Sequence, residues 1–581
     1  MPSFPLPALP ASTRLEVLEV GAAPLIRHFL DRLDLPGLLD RHLPRLRGRQ
    51  PALPTSTVLG VLLSNLVLAR QPLYGISAWA APFVPEHLGL APGQAALLND
   101  DRCGGALDHY YRADRASLQT VLVLRVVDRF RLELRQLHQD TTTITLSGDY
   151  LDQPTPETTD RPARICRGYN KDHRPDLKQL LYNRTVTADG AVPIHCKIHD
   201  GNTSDDSVHR HTWLALRAIT GTSDFLYVGD SKLCTKDNMA LIAGNNGRFL
   251  TVMPRTRGED ERFRVWMQSN EVRWSEVLRE KNPRGKTKPE VVYHAFEDPT
   301  GSQEGHRILW YLSSQKKQRD RDARRKKLNK ARRRLRRLRP PGRGGAFRSA
   351  QAARQAAERV LSKAGVQDWL RVRIEEEVQV EHVQVGPGRP GPDTLYKQVQ
   401  TRTYKIRVED KEEALRQAEC CDGLFPLITN DKGLSLGDAL AKYKYQPYAE
   451  KRHEQLKSVF GVRPVWLKNP KRVESLLWLY QLVELIQALL EREVRRHMKR
   501  GEIASLPLYP EKRHSAAPTA ELVLGLLRGH KRYRLLDEHG QTLQTFHDPL
   551  PEVAVQILDF LGIDRSAYGL PPQNQQERGQ S

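Results

Sequence analysis

The stretch His138-Gln-Asp-Thr-Thr-Thr-Ile-Thr-Leu146 decides how this chain folds. Thr and Ile crowd it, so it reads as a strand. Asp140 nevertheless sets a charge in its first half. Such a carboxylate is either the wet face of an edge strand or a group with chemistry to do. Downstream, residues 180–187 and 192–198 read as two strands about the turn Ala188-Asp189-Gly190. The Asp-Gly pair there is a strong hairpin signal. A helical stretch (208–219) leads to a short buried strand (225–228), a helix (236–243) and a further strand (249–253).

Three strands, then helix, strand, helix, strand is the chain order of a ribonuclease H-like core. The predicted fold class is therefore α/β, with one mixed sheet flanked by helices. Asp230 closes the apolar run Phe225-Leu-Tyr-Val-Gly-Asp230, at the carboxyl end of a strand, where open α/β sheets place ligands. It would also serve as an ordinary helix cap. Glu450 lies in Tyr443-Lys-Tyr-Gln-Pro-Tyr-Ala-Glu-Lys-Arg-His-Glu-Gln-Leu-Lys457, which reads as helix from about residue 447 to 460. Tyr443, Gln446, Glu450 and Lys457 share one helical stripe. Pro447 suits a first turn, so Tyr443 and Gln446 stand before the helix if it begins there. A plain Glu–Lys surface helix is the alternative. Two strand-borne aspartates and a helix-borne glutamate suit two hard divalent cations, Mg²⁺ with Mn²⁺ as substitute, which take oxygen ligands and promote phosphoryl transfer.

The composition agrees with a polyanionic substrate. The 581 residues carry a net charge of +22 and are long enough for several domains. Asp230 and Glu450 are separated by 219 residues, far more than a crossover needs, so an inserted domain lies between them. Strand-like segments (291–296, 307–312, 372–385, 401–408) surround a basic run there. Residues 316–339 hold 15 Lys or Arg and 2 Asp, more than half of the net charge of the chain. Leu328 and Leu335, seven apart, make this run a helix with most faces cationic. Lys316, Arg324, Arg325, Arg333 and Arg336 are its candidate DNA contacts, since such charge density needs a counter-charge. A solvated surface helix is the alternative.

The predicted domains are a helical DNA-binding or dimerisation domain (1–135), the first part of the catalytic core (136–255), the β-rich, basic insertion (256–421), the second part of the core (422–502), and a linker with a small α/β region (503–581). Thr55 or Thr57 is expected to cap an apolar helix whose 12-residue run, 58–69, is too short to span a bilayer. The six cysteines form no CxxC pair, which fits reduced thiols. A cytoplasmic, nucleoid-associated protein without membrane contact is expected.

These residues resemble DDE transposases of bacterial insertion sequences, in the group marked by Tyr, two residues, Arg, three, Glu, six, Lys. Here that signature reads Tyr443, Gln446, Glu450, Lys457, with Gln in the Arg position. Asp140-Thr-Thr and Val228-Gly-Asp-Ser231 resemble the first two acidic blocks, and Gly168-Tyr-Asn-Lys-Asp172, Pro175-Asp-Leu177 and Asp200-Gly-Asn202 the stretches between them. The resemblance implies that Asp140, Asp230 and Glu450 are catalytic metal ligands, and that Tyr443, Gln446 and Lys457 lie by the DNA. It implies nicking of element ends and attack of the freed 3′-hydroxyls on target duplex by a homodimer paired across two terminal inverted repeats. Trp310, Trp266 and Trp274 are candidates to stack on a flipped base, although all three suit a core better. A nuclease or resolvase without strand transfer, or an inactive DNA-binding relative, are the alternatives.

Overall fold

A computed structural model describes residues 13–46, 48, 50–146, 150, 161–169, 174–282, 285, 288–340, 345–456 and 467–571. The chain divides into two compact units, Met1–Thr251 with Ala441–Ser581, and Val252–Leu440.

The first unit opens with β1 (Arg14–Glu19) and the helices α1 (Ala23–Arg32), α2 (Leu35–His42), α3 (Thr55–Leu68), α4 (Ile76–Ala80), α5 (Asp100–Tyr111) and α6 (Arg115–Phe130). Asn99 and Asp114 cap α5 and α6 by accepting from Arg102 N and Ser117 N. The apolar α3 is buried along most of its length, but neither Thr55 nor Thr57 caps it. Thr55 Oγ1 is occupied by the Arg102 guanidinium at 3.2 Å and His109 Nδ1 at 3.0 Å.

The sheet of this unit follows: β2 (Gln136–Leu146), β3 (Lys178–Thr187), β4 (Pro193–Asp200), α7 (Asp205–Thr220), β5 (Leu226–Gly229), α8 (Lys236–Gly244) and β6 (Arg248–Val252). Its strand order is β4–β3–β2–β5–β6. The first three strands are antiparallel, with a tight turn between β3 and β4, whereas β5 runs parallel to β2, and β6 to β5, because α7 and α8 carry the chain back across. At the β3–β4 turn Gly190 has φ +85°, and a Cβ there would lie 2.9 Å from the Arg492 side chain. Only glycine fits both the left-handed backbone and that approach.

The second unit holds α9 (Gly258–Ser269), β7 (Ser275–Glu280), β8 (Val291–Asp298), β9 (Arg307–Ser313), α10 (Ser314–Arg336), α11 (Ala350–Ala364), β10 (Leu370–Gln384), β11 (Tyr396–Asp410), α12 (Glu412–Cys420) and β12 (Leu424–Thr429). Strands β12, β9, β8 and β7 form an antiparallel array. Trp310 is fully buried there, stacked on Phe263 at 4.0 Å, and Trp266 stacks on Phe296. Trp310 is therefore a core residue and is not available to a base. The basic run forms α10, whose Leu328, Ala331 and Leu335 pack on Ala357 and Leu361 of α11. Strands β10 and β11 make a two-stranded ribbon.

The chain re-enters the first unit through α13 (Leu436–Tyr443), followed by α14 (Gln446–Glu454), α15 (Pro470–Arg500), β13 (Leu506–Pro507), β14 (His514–Ser515), α16 (Ala520–Leu526), β15 (Lys531–Leu536), β16 (Thr542–His547) and α17 (Glu552–Leu561). By length and composition α15 could cross a membrane, but 89% of its apolar window is buried within the fold. It is the central core helix, packed on α3, α5, β4 and α17. Each fully buried leucine on it contributes about 1.5–3 kcal/mol. The tail returns to the start of the chain, where β15 pairs with both β1 and β16.

Candidate active site

Strand register brings the two aspartates together. In the parallel pair, His138 of β2 lies beside Val228 of β5. Two residues further along each strand stand Asp140 and Asp230. Asp140 is half-buried, and its Oδ1 accepts from Thr141 N at 2.8 Å. Asp230, just past the end of β5, is also half-buried. Its carboxylate accepts from Lys232 N at 2.9 Å, and its carbonyl from Thr251 Oγ1 at 2.5 Å. Asp230 is not a helix cap: Thr235 caps α8 by accepting from Asn238 N, and Asp230 only ties the turn that precedes that helix.

The helix α14 lies on the face of β2 that carries His138 and Asp140. Pro447 occupies its first turn, so Tyr443 stands outside it at the end of α13. Gln446 Nε2 donates to the Gln139 carbonyl at 2.9 Å, and its Oε1 accepts from His138 Nδ1 at 2.9 Å. One turn on is the exposed Glu450, and one further turn brings His453 Nε2 to 3.6 Å from Asp140 Oδ2. Residues 446, 450 and 453 form one stripe facing β2, so Glu450 is bracketed by two contacts to that strand. Two residues along, on the other side, Arg452 is buried, donating to Glu491 at 2.8 Å and to the Ala191 and Gly190 carbonyls at 3.3 Å.

Tyr443 closes α13 just ahead of α14. Burial raises its phenol above the ordinary range, and the charges of Asp230, Glu450 and Asp140 raise it further. A second histidine stands by this cluster, with the buried His209 Nε2 3.7 Å from Asp230 Oδ1 and its Nδ1 3.1 Å from the Tyr227 hydroxyl. Opposite Asp140 in the β2–β3 ladder is Arg184, fully buried and ion-paired with the buried Glu484 of α15. Burial alone would lower the Arg184 pKa, but Glu484, and more weakly Asp140, raise it, so this guanidinium stays charged. Burial lowers His138 to about 4, in keeping with a neutral ring that donates through Nδ1 and accepts from Gln136 Nε2 at 2.8 Å through Nε2.

Hard carboxylate oxygens are the donors that Mg²⁺ and Mn²⁺ prefer. Among the described residues, no three His, Cys, Asp or Glu side chains stand close enough as placed to hold one ion. The three carboxylates have the right chemistry for such ions, with Glu450 turned to solvent.

Other expected contacts resolve differently. Gln446 is 4% exposed and both ends of its amide are bonded to β2, so it is a buried clamp and not a DNA contact. Arg324 is likewise buried, with both arms of its guanidinium on Asp422 at 2.7 Å, so it is not a free phosphate ligand. Lys316 pairs with Asp320 at 2.6 Å and Arg325 with Asp322 at 3.0 Å, both near the surface. Arg333 and Arg336 are exposed. Lys457 and residues 170–173 lie outside the described residues. Sequence reasoning missed His453 and His209. His453 was signalled by its three-residue spacing from Glu450, whereas His209 reads as one more buried residue of α7.

A family model described as a domain of unknown function (DUF4277) matches residues 15–124. No curated protein matches the chain. Among solved structures it is similar to a piggyBac transposase synaptic complex with hairpin DNA, at 8% identity and a TM-score of 0.26, covering 80% of this chain and 85% of that one. It is also similar to the Mos1 transposase paired-end complex with left transposon end, at 12% identity and a TM-score of 0.14, covering 39% of this chain and 67% of that one. Likenesses this weak carry nothing about the activity of this chain, which rests on its own site.

Proposed function

We propose that this chain is a DDE-type DNA transposase with a ribonuclease H-like core. Asp140, Asp230 and Glu450 would be the ligands of two divalent cations, Mg²⁺ with Mn²⁺ able to substitute. The observation that carries this reading is the register that sets Asp140 and Asp230 level on the adjacent strands β2 and β5, with α14, which bears Glu450, clamped to β2 through Gln446, in a sheet ordered β4–β3–β2–β5–β6. The strand order and directions are those expected of such a core.

Bound there, the cations would activate an oxygen nucleophile and neutralise charge on the leaving oxygen. The protein's own residues do the positioning. The Gln446 clamp and the Arg452–Glu491 pair fix α14, and with it Glu450, over β2. Thr251 fixes the backbone of Asp230. Tyr443, kept protonated by burial and by the carboxylates, offers an O–H to a carboxylate or phosphate oxygen. The reaction is cutting at element ends followed by joining of the 3′-hydroxyls to target duplex, by a homodimer that pairs two ends in the bacterial cytoplasm.

Purified protein, Mg²⁺ and labelled DNA from either flank of its gene should yield 3′-end nicks and joined products. Asp140→Asn should abolish both and leave end binding intact, because it removes a ligand and keeps the shape. Nicks without joined products would make it a nuclease, and binding without chemistry in Mg²⁺ or Mn²⁺ would remove the enzymatic reading.

A further inference from the structure

Within the second unit the structure sorts the cations of the basic run into two classes. Arg324 and Arg332 are held by Asp422 and Asp410, and so brace the fold. Lys330, Arg333, Arg334, Arg337 and Arg339 instead line the end of α10 and the residues just past it, one wall of a cleft of about 570 Å³. The other wall is α11, which contributes Arg359 and Lys363, one turn apart. Leu338 and Val360 also line the cleft, and both rest on the apolar cluster between the two helices. Among the described residues no carboxylate lies within ion-pair distance of any of the seven cations.

Seven like charges on two facing walls repel one another, and packing of Leu328, Ala331 and Leu335 on Ala357 and Leu361 holds them there regardless. The fold thus maintains a cationic trough that lacks an internal counter-charge. We infer that this cleft binds the sugar–phosphate backbone of DNA, taking the phosphates of one strand between α10 and α11. Its two-helix construction matters, because Arg359 and Lys363 lie outside the basic run and are recruited only by the packing of α11. Ligand recognition here is electrostatic and independent of sequence. The binding does not depend on the catalytic reading, since a phosphate trough works with or without cleavage.

The test compares two double variants with the same loss of charge in the full-length Asp140→Asn chain, with EDTA present so that cutting cannot occur. Arg359→Ala with Lys363→Ala empties one wall of the cleft. Arg321→Ala with Lys327→Ala removes two exposed cations of α10 that do not line it. Affinity for a fluorescent duplex is measured by anisotropy across a salt series. Each phosphate contact contributes about 0.9 to the slope of log affinity against log salt, so the cleft pair should flatten that slope by about two. The control pair should leave it within half a unit. Equal flattening by both pairs would show diffuse attraction by net charge, and no change in the cleft pair would remove the site. Either result overturns the inference, and neither depends on whether the protein cuts DNA.

Discussion

Gln446 shows how one side chain sets the geometry of the site. Its amide is shared between the His138 ring and the Gln139 carbonyl, both buried, so it can neither rotate nor be hydrated. An arginine in that position would place a charge beside a neutral imidazole at a buried spot, which burial penalises unless a counter-charge is present. The Gln446 and His138 pairing therefore explains why this chain departs from the signature where it does. Gln446→Leu keeps the approximate size and removes both bonds, leaving a buried carbonyl and ring nitrogen unpaired. It should cost about 1–3 kcal/mol in a urea melt and lower nicking more than DNA binding. A variant as stable as the parent would show that these bonds do not hold α14. Asp140 and Asp230 were visible in the sequence as candidates because one interrupts and the other ends a strand pattern, and Glu450 only through the Tyr443, Gln446 and Lys457 around it. His453 and His209 were not, because their significance lies in what faces them from another element.

At the level of elements, local patterns were readable and long-range pairings were not. The strands flanking the Asp189–Gly190 turn, the short strand before Asp230 and the tail hairpin all stand where alternation and turn residues place them. By contrast β1 is invisible from its own six residues, since only pairing with β15, more than 500 positions away, makes it a strand. Arg324 was misread for a similar reason: a run of cations shows its charge but not the partner, Asp422, that absorbs it. The edge strand β4 carries a further consequence. His195 and His199 are two of its alternate residues, with Lys197 between them. Burial, then Lys197, lowers His195 to about 3, and the same causes lower His199 to about 4. Both folded values lie below the unfolded histidine value near 6.5. The unfolded chain thus binds more protons as pH falls, and stability is full above about 6.5 and lost progressively down to about 3. Urea midpoints should drop between pH 7 and pH 4.5, and His195→Gln should reduce that drop. An unchanged drop would place the acid sensitivity elsewhere.

At the scale of the molecule, the division into two units matches the chemistry asked of each. The first unit, built on α15 and the mixed sheet, carries the three carboxylates and the clamps that aim them. The second carries the cationic trough and braces it with buried ion pairs. The central claim is that Asp140, Asp230 and Glu450 form one metal site although they come from a strand, a strand end and a helix. Titration of Mn²⁺ into the protein bound to end DNA, followed by electron paramagnetic resonance of the free ion, tests it most directly. The wild-type chain should take up two ions, and Asp140→Asn, Asp230→Asn and Glu450→Gln should each lose at least one while the duplex stays bound. Identical Mn²⁺ uptake by the wild type and all three variants would contradict the account.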